Sequence, residues 1–159
     1  MRLHAHRTAL LTLAIGVLAS TAVSAAETPT VAFVSVAAGE RSAILSPQQI
    51  VVRDQEAWIA LWRRHSGDAS VTAPLIDFQT SMVLAVFAGR APASTTVAIV
   101  RILSEPDRLV VQYRVGERRP ITDAGQEVTP FHIVRVRRSA LRVSFQRVKT
   151  IPVLPAPGS

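Results

Sequence analysis

Nucleophilic or acid–base chemistry in residues 26–159 would turn on His65 and His132, the two histidines outside the N-terminal leader. A nucleophile needs a base within hydrogen-bond reach and a third group that orients the base. Neither histidine is placed by a motif beside a serine. There is no strained Gly-x-Ser-x-Gly turn, and Ser139, after Arg138, has no glycine neighbours. His65 continues the face of Trp58 and Trp62 near a helix end, where an imidazolium also suits the helix dipole. His132 lies between Phe131 and Ile133 in a strand pattern. Both read as packed or surface residues.

Metal and phosphate chemistry are as poorly provided for. Zinc takes three or four ligands at organised spacing, and two distant histidines with scattered Asp77, Asp107 and Asp123 do not supply them. Asp54 and Asp77 could form a carboxylate pair for hydrolysis, but Asp54 stands where a helix N-cap is needed and Asp77, ahead of Phe78, suits a turn. Gly89-Arg90-Ala91-Pro92 has one glycine and no following lysine, so it is not a phosphate-cradling loop. No catalytic residue, metal or cofactor is expected.

The elements that would hold these residues follow from periodicity. Val31, Phe33 and Val36 begin a strand that Ala37-Ala38-Gly39-Glu40-Arg41 closes with a turn, and Ile50 to Val52 forms a second. Trp58, Leu61, Trp62 and His65 recur at helical spacing between the Asp54 cap and Gly67, which predicts a helix from about Gln55 to Ser66. The two tryptophans read as its core-facing stripe, with one ring half exposed. Met82 to Phe87 is a continuous apolar run of strand length, expected to be buried on both faces. Thr96 to Leu103 alternates Val97, Ile99 and the stem of Arg101 against Ala98, Val100 and Ile102. It pairs as a hairpin with Leu109, Val111, Tyr113 and Val115. Gly116 to Gln126 reads as a loop. Phe131 to Arg137 has Val134 and Val136 inward, and Val143 with Phe145 begins an edge strand guarded by Gln146 and Arg147. The expected fold is α+β: about six to seven strands in a mostly antiparallel sheet packed against one principal amphipathic helix.

The N-terminus has the order of a secretory signal. Arg2, His4, His6 and Arg7 precede an apolar run from Ala9 to Ala19, and small residues lead to cleavage after Ala25 or Ala26. The expected organisation is a leader over 1–25, a linker over 26–30, a domain over 31–149 and a disordered proline-rich tail over 150–159. With no cysteine in the chain, neither a disulfide nor the lipid of a lipoprotein can form, so no stable membrane anchor is expected. The net charge is +7; Arg2 and Arg7 belong to the leader, and the remaining excess gathers between Arg114 and Lys149. Such a surface attracts acidic partners. Nucleic acid is not expected, since charge excess without a stacking platform or reading helix supplies only nonspecific binding.

Three segments carry a family likeness: Val52-Arg53-Asp54-Gln55-Glu56-Ala57-Trp58-Ile59-Ala60-Leu61-Trp62; Pro74-Leu75-Ile76-Asp77-Phe78 leading into Met82 to Pro92; and Thr129-Pro130-Phe131-His132-Ile133-Val134-Arg135-Val136. In that order they resemble the C-terminal domain family of the protease complex subunit PrcB, over about Val31 to Val148. The resemblance implies an exported, noncatalytic module that binds or steadies a protein partner, a protease among the candidates. Ser94-Thr95-Thr96 stands where members often carry a Gly-Gly-Tyr-like segment, and the lipid-bearing cysteine is missing. The expected partner-binding residues are Arg90, Ser94, Thr95, Thr96, Arg118 and Arg119. The alternatives are a proteinaceous protease inhibitor using the same loops and, less favoured, a small hydrolase using His132.

Overall fold

A computed structural model describes residues 28–117 and 126–149. The leader, the tail over 150–159, and Arg118 and Arg119 lie outside the described residues. Helix α1 (Gln55–Ser66) has the boundaries its sequence predicts. Asp54 is extended (φ −147°, ψ 164°), and its side chain accepts the Ala57 N–H at 2.8 Å. Gly67 ends the helix in the left-handed region at φ 71°, donating its N–H to the Arg63 carbonyl at 3.1 Å.

The strands are β1 (Phe33–Gly39), β2 (Gln48–Val52), β3 (Ser81–Phe87), β4 (Ala91–Pro92), β5 (Thr95–Ser104), β6 (Arg108–Glu117), β7 (Glu127–Val128), β8 (Phe131–Arg137) and β9 (Arg142–Arg147). They form three sheets, ordered β1-β8-β3-β2, β4-β7 and β5-β6-β9. Every pair is antiparallel except β6–β9. The fold is α+β, mostly antiparallel, as expected.

Instead of one sheet under one helix, however, the chain builds three layers. Met82 to Phe87 of β3 are all 0 or 1 % exposed, because both faces of their sheet are covered. Met82, Leu84 and Val86 pack with Val134 and Val136 of β8 against Ile99, Ile102, Leu109 and Val111 of the β5-β6-β9 sheet. Val83, Ala85 and Phe87 pack with Phe131 and Ile133 against Trp58 and Leu61 of α1. A second sheet was not foreseen, since alternation along one strand says which faces are apolar but not what covers each of them.

Four local readings change. Arg101 does not line the inner face with Val97 and Ile99. The pairing of β5 with β6 shifts register between Ile99 and Arg101, so Val100 is an extra, bulged residue. The bulge reverses the alternation: Arg101 is exposed and Ile102 is fully buried. β1 runs on through Gly39 instead of turning at Ala37, because a similar shift between Ser35 and Ala37 lets Val36 and Ala37 both pack toward α1. Ala91-Pro92, read as an interruption, pairs with Glu127-Val128. Pro29 and Thr30, read as linker, are tied to β5: Ser104 N–H donates to the Pro29 carbonyl at 2.8 Å and Thr30 bridges Leu103.

Two arginines serve the frame. Arg138 Nη1 donates to the carbonyls of Phe78 (2.6 Å) and Arg53 (2.8 Å), and Arg53 Nη2 donates to that of Leu141 (2.9 Å). They stitch the approaches to α1, β3 and β9 to the end of β8. Asp77 also has the turn role assigned to it. Its carboxylate accepts from the Thr80 hydroxyl and the Gln79 N–H, and those bonds hold it below its ordinary pKa.

Candidate functional site

His132 has the spacing of a catalytic dyad and the opposite proton placement. β8 points its ring between the sheets. Its Nε2 lies 3.1 Å from Ser35 Oγ, and its Nδ1 accepts the Ile99 backbone N–H at 2.9 Å. A backbone N–H can only donate, so in the neutral ring Nδ1 is bare and Nε2 carries the proton, which it donates to Ser35. A histidine that activates a serine needs a bare Nε2 toward the hydroxyl and an Nδ1–H held by an acceptor. Burial lowers the pKa of His132, favouring that neutral ring. The geometry is that of a staple joining β1, β8 and β5.

His65, at the end of α1, is 6 % exposed. Its ring centroid lies 4.2 Å from that of Phe131, 5.3 Å from Trp62 and 5.6 Å from Phe87. Nδ1 meets Ser42 Oγ at 2.9 Å, Oγ also accepts the Ile44 N–H at 3.1 Å, and the His65 carbonyl takes the Ala43 N–H at 2.8 Å. The ring thus fastens the 42–44 segment over the end of α1, and its pKa is lowered by burial. Among the described residues, no group of three or more histidines and carboxylates could hold a metal ion. No helix among them is long and apolar enough to cross a membrane.

Of the expected partner-binding residues, Arg90, Ser94, Thr95 and Thr96 are described and flank β4, but they are not equally accessible. Arg90 is exposed and lies 3.6 Å from Glu127. Ser94 is half-buried, Thr95 is 8 % exposed, and the Thr96 hydroxyl donates to the Gly116 carbonyl at 3.3 Å. Thr95 pairs with Glu117, and Ala93 donates its N–H to the Gln126 carbonyl at 3.1 Å. Both described ends of the 116–126 segment therefore adjoin the 90–96 segment. Among the described partner-binding candidates, Arg90 is exposed, Ser94 and Thr96 are half-buried and Thr95 is buried.

The most exposed large apolar side chain among the described residues is elsewhere, at Leu75, with 95 % of its area open. Its neighbours are pinned. Ala73, Ile76 and Phe78 pack on the core beneath α1, and the Pro74 carbonyl accepts the Nε1–H of fully buried Trp58 at 2.9 Å. Beside Leu75 runs a groove of about 320 Å³ whose apolar lining includes Ile59, Val71 and Ala73. The sequence reading took Pro74-Leu75-Ile76 only as part of a family likeness. The legible signal was an apolar residue between two positions needed by the core, which leaves the middle side chain nowhere to go but out.

The chain matches no protein-family model, no curated protein and no solved structure.

Proposed function

We propose that this chain is an exported, noncatalytic protein-interaction module, an accessory subunit that binds or stabilises an envelope or secreted protease. The observation that carries this reading is Leu75: one apolar side chain, 95 % exposed, held out from a segment anchored on both sides. Binding energy at protein interfaces concentrates in a few such side chains that fill a pocket on the partner. A segment already fixed loses little conformational freedom on binding. The leader-like N-terminus and the likeness to the PrcB C-terminal domain support export and a protease partner. The proton on His132 Nε2 speaks against its use as a serine-activating base.

The test is retention of a partner from an envelope fraction on immobilised protein. Wild type should hold a specific, salt-resistant partner, and Leu75→Asp should lose it with thermal unfolding unchanged; equal retention by the variant removes Leu75 from the interface. Salt-labile, heterogeneous recovery by wild type sinks the reading as a whole. The same exposed leucine also favours the inhibitor alternative, since a fixed, protruding side chain fits the specificity pocket of a protease. Residual activity of subtilisin-like and papain-like proteases decides that point. No loss at micromolar protein leaves the accessory-subunit reading.

A further inference from the structure

The bulge at Val100 has built a second surface on the layer farthest from α1. β5 and β6 alternate inward and outward, with Val97, Ile99, Ile102, Leu109 and Val111 filling the core between the sheets. Without the bulge, with Val100 paired as an ordinary strand residue, Arg101 would follow Ile99 inward. With it, Arg101 stands on the outer face opposite Gln112, while Arg114 stands opposite Ala98 on the neighbouring strand. Arg101 and Arg114 are thus diagonal neighbours across the strand pair, roughly 7–8 Å apart by sheet geometry. The chain leaving β9 adds Val148, whose N–H donates to the Tyr113 carbonyl at 2.8 Å, and then Lys149. Val100, Arg101, Gln112, Arg114, Val148 and Lys149 line an open groove of about 320 Å³.

Among the described residues, the charges of this groove are uncompensated: no carboxylate forms an ion pair with Arg101, Arg114 or Lys149. Arg108, farther along β6, contrasts with them: Glu105 lies 2.6 Å from it and Asp107 3.9 Å. Three cations therefore surround a floor of Val100, 40 % exposed, and half-buried Val148. The Gln112 amide is held by Gln146 Oε1 at 3.1 Å.

We propose that the outer face of the β5-β6-β9 sheet binds an acidic peptide segment with an apolar residue among its carboxylates. Arg101 and Arg114 present planar forks that match carboxylates, Lys149 adds a third positive point, and Val100 with Val148 takes the apolar side chain. Charge complementarity selects an acidic partner. The apolar floor selects a peptide over a phosphate polymer, which has nothing to place there. This surface is independent of Leu75, so one can fail without the other.

The experiment is fluorescence anisotropy with the purified full chain and a labelled eight-residue peptide of alternating glutamate and leucine, with inorganic polyphosphate as competitor. Saturable binding is expected, weakened at least tenfold in Arg101→Glu/Arg114→Glu and in the milder Arg101→Gln/Arg114→Gln. Val100→Asp should weaken the peptide by a similar factor, and replacing the peptide's glutamates by glutamines should abolish binding. All variants should keep the wild-type far-ultraviolet dichroism and melting temperature, since the changed side chains lie on the outer face. No saturable binding by wild type, or undiminished binding by both arginine pairs, overturns the proposal. Polyphosphate binding that is tighter than the peptide's and indifferent to Val100→Asp overturns it too, assigning the face to a polyanion.

Discussion

Trp58 and Trp62 are both indoles on α1, with ring centroids 5.2 Å apart, yet they do different work. Trp58 is fully buried and donates Nε1–H to Pro74, whereas Nε1 of Trp62 is buried with no hydrogen-bond partner among the described residues. Trp58→Phe should therefore cost about 1 kcal/mol more than Trp62→Phe in urea unfolding, because only the first orphans a satisfied carbonyl. Their helical spacing was enough to place both on the core-facing stripe. It could not say which indole would reach an acceptor, because Pro74 is brought near by the return of the chain after α1. The histidines set a pH dependence. Burial lowers both pKa values from 6.5 in the folded protein, so as pH falls the unfolded chain takes up protons first. Their contribution to stability is complete above about pH 6.5 and is lost as pH drops through the lowered values. Asp68 and Asp77, lowered from 3.8, act only in a more acidic range. Urea midpoints should accordingly fall between pH 7.5 and pH 5. His132→Gln, which can still accept the Ile99 N–H but does not titrate, should flatten that decline.

At the scale of elements, caps were legible and parity changes were not. Asp54 and Gly67 bracket an apolar stripe, and such local signals put α1 at its observed ends. The bulge at Val100 leaves no composition signal; strict alternation assigned Arg101 to the core, and the cost of a buried guanidinium was the only hint against it. Deleting Val100 would remove the extra residue and leave Ile99 inward, Arg101 outward and Ile102 inward in a regular ladder. The deletion should therefore cost no more than about 1 kcal/mol, and Val100→Ala, on an open face, about 0.5 kcal/mol or less by denaturant titration. The two-residue ribbon of β4 and β7 was illegible because it is too short for any period, yet it depends on Gly89. That glycine has φ 72°, and an added Cβ would lie 2.8 Å from the nitrogen of Pro47 and the carbonyl carbon of Ser46. Gly89→Ala should cost about 2–4 kcal/mol, combining left-handed strain with a clash against backbone. Gly67→Ala, with φ 71° and only the Ala43 methyl at 3.0 Å, should cost less, about 1 kcal/mol in the same measurement.

At the scale of the molecule, the middle sheet orders everything else. Its exposed surroundings carry two features at opposite layers, Leu75 beside α1 and the cationic groove on the outer sheet. Neither stood out in the sequence, since each depends on what the rest of the chain leaves uncovered. Within that sheet, Phe33 of β1 pairs with Val136 of β8, and Met82 of β3 pairs with the same Val136 from the other side. β8 is thus the seat into which both earlier strands fit, and it follows β1 to β7 along the chain. Closing so long a loop costs entropy before any of its contacts form. A chain ending at Val128 should retain no cooperative unfolding transition, because β1 and β3 would each lack their shared partner. For a polypeptide emerging from its N-terminus, the consequence is one of timing. The domain stays open and threadable while β1 to β7 appear, and it locks only when Arg137 has cleared the exit.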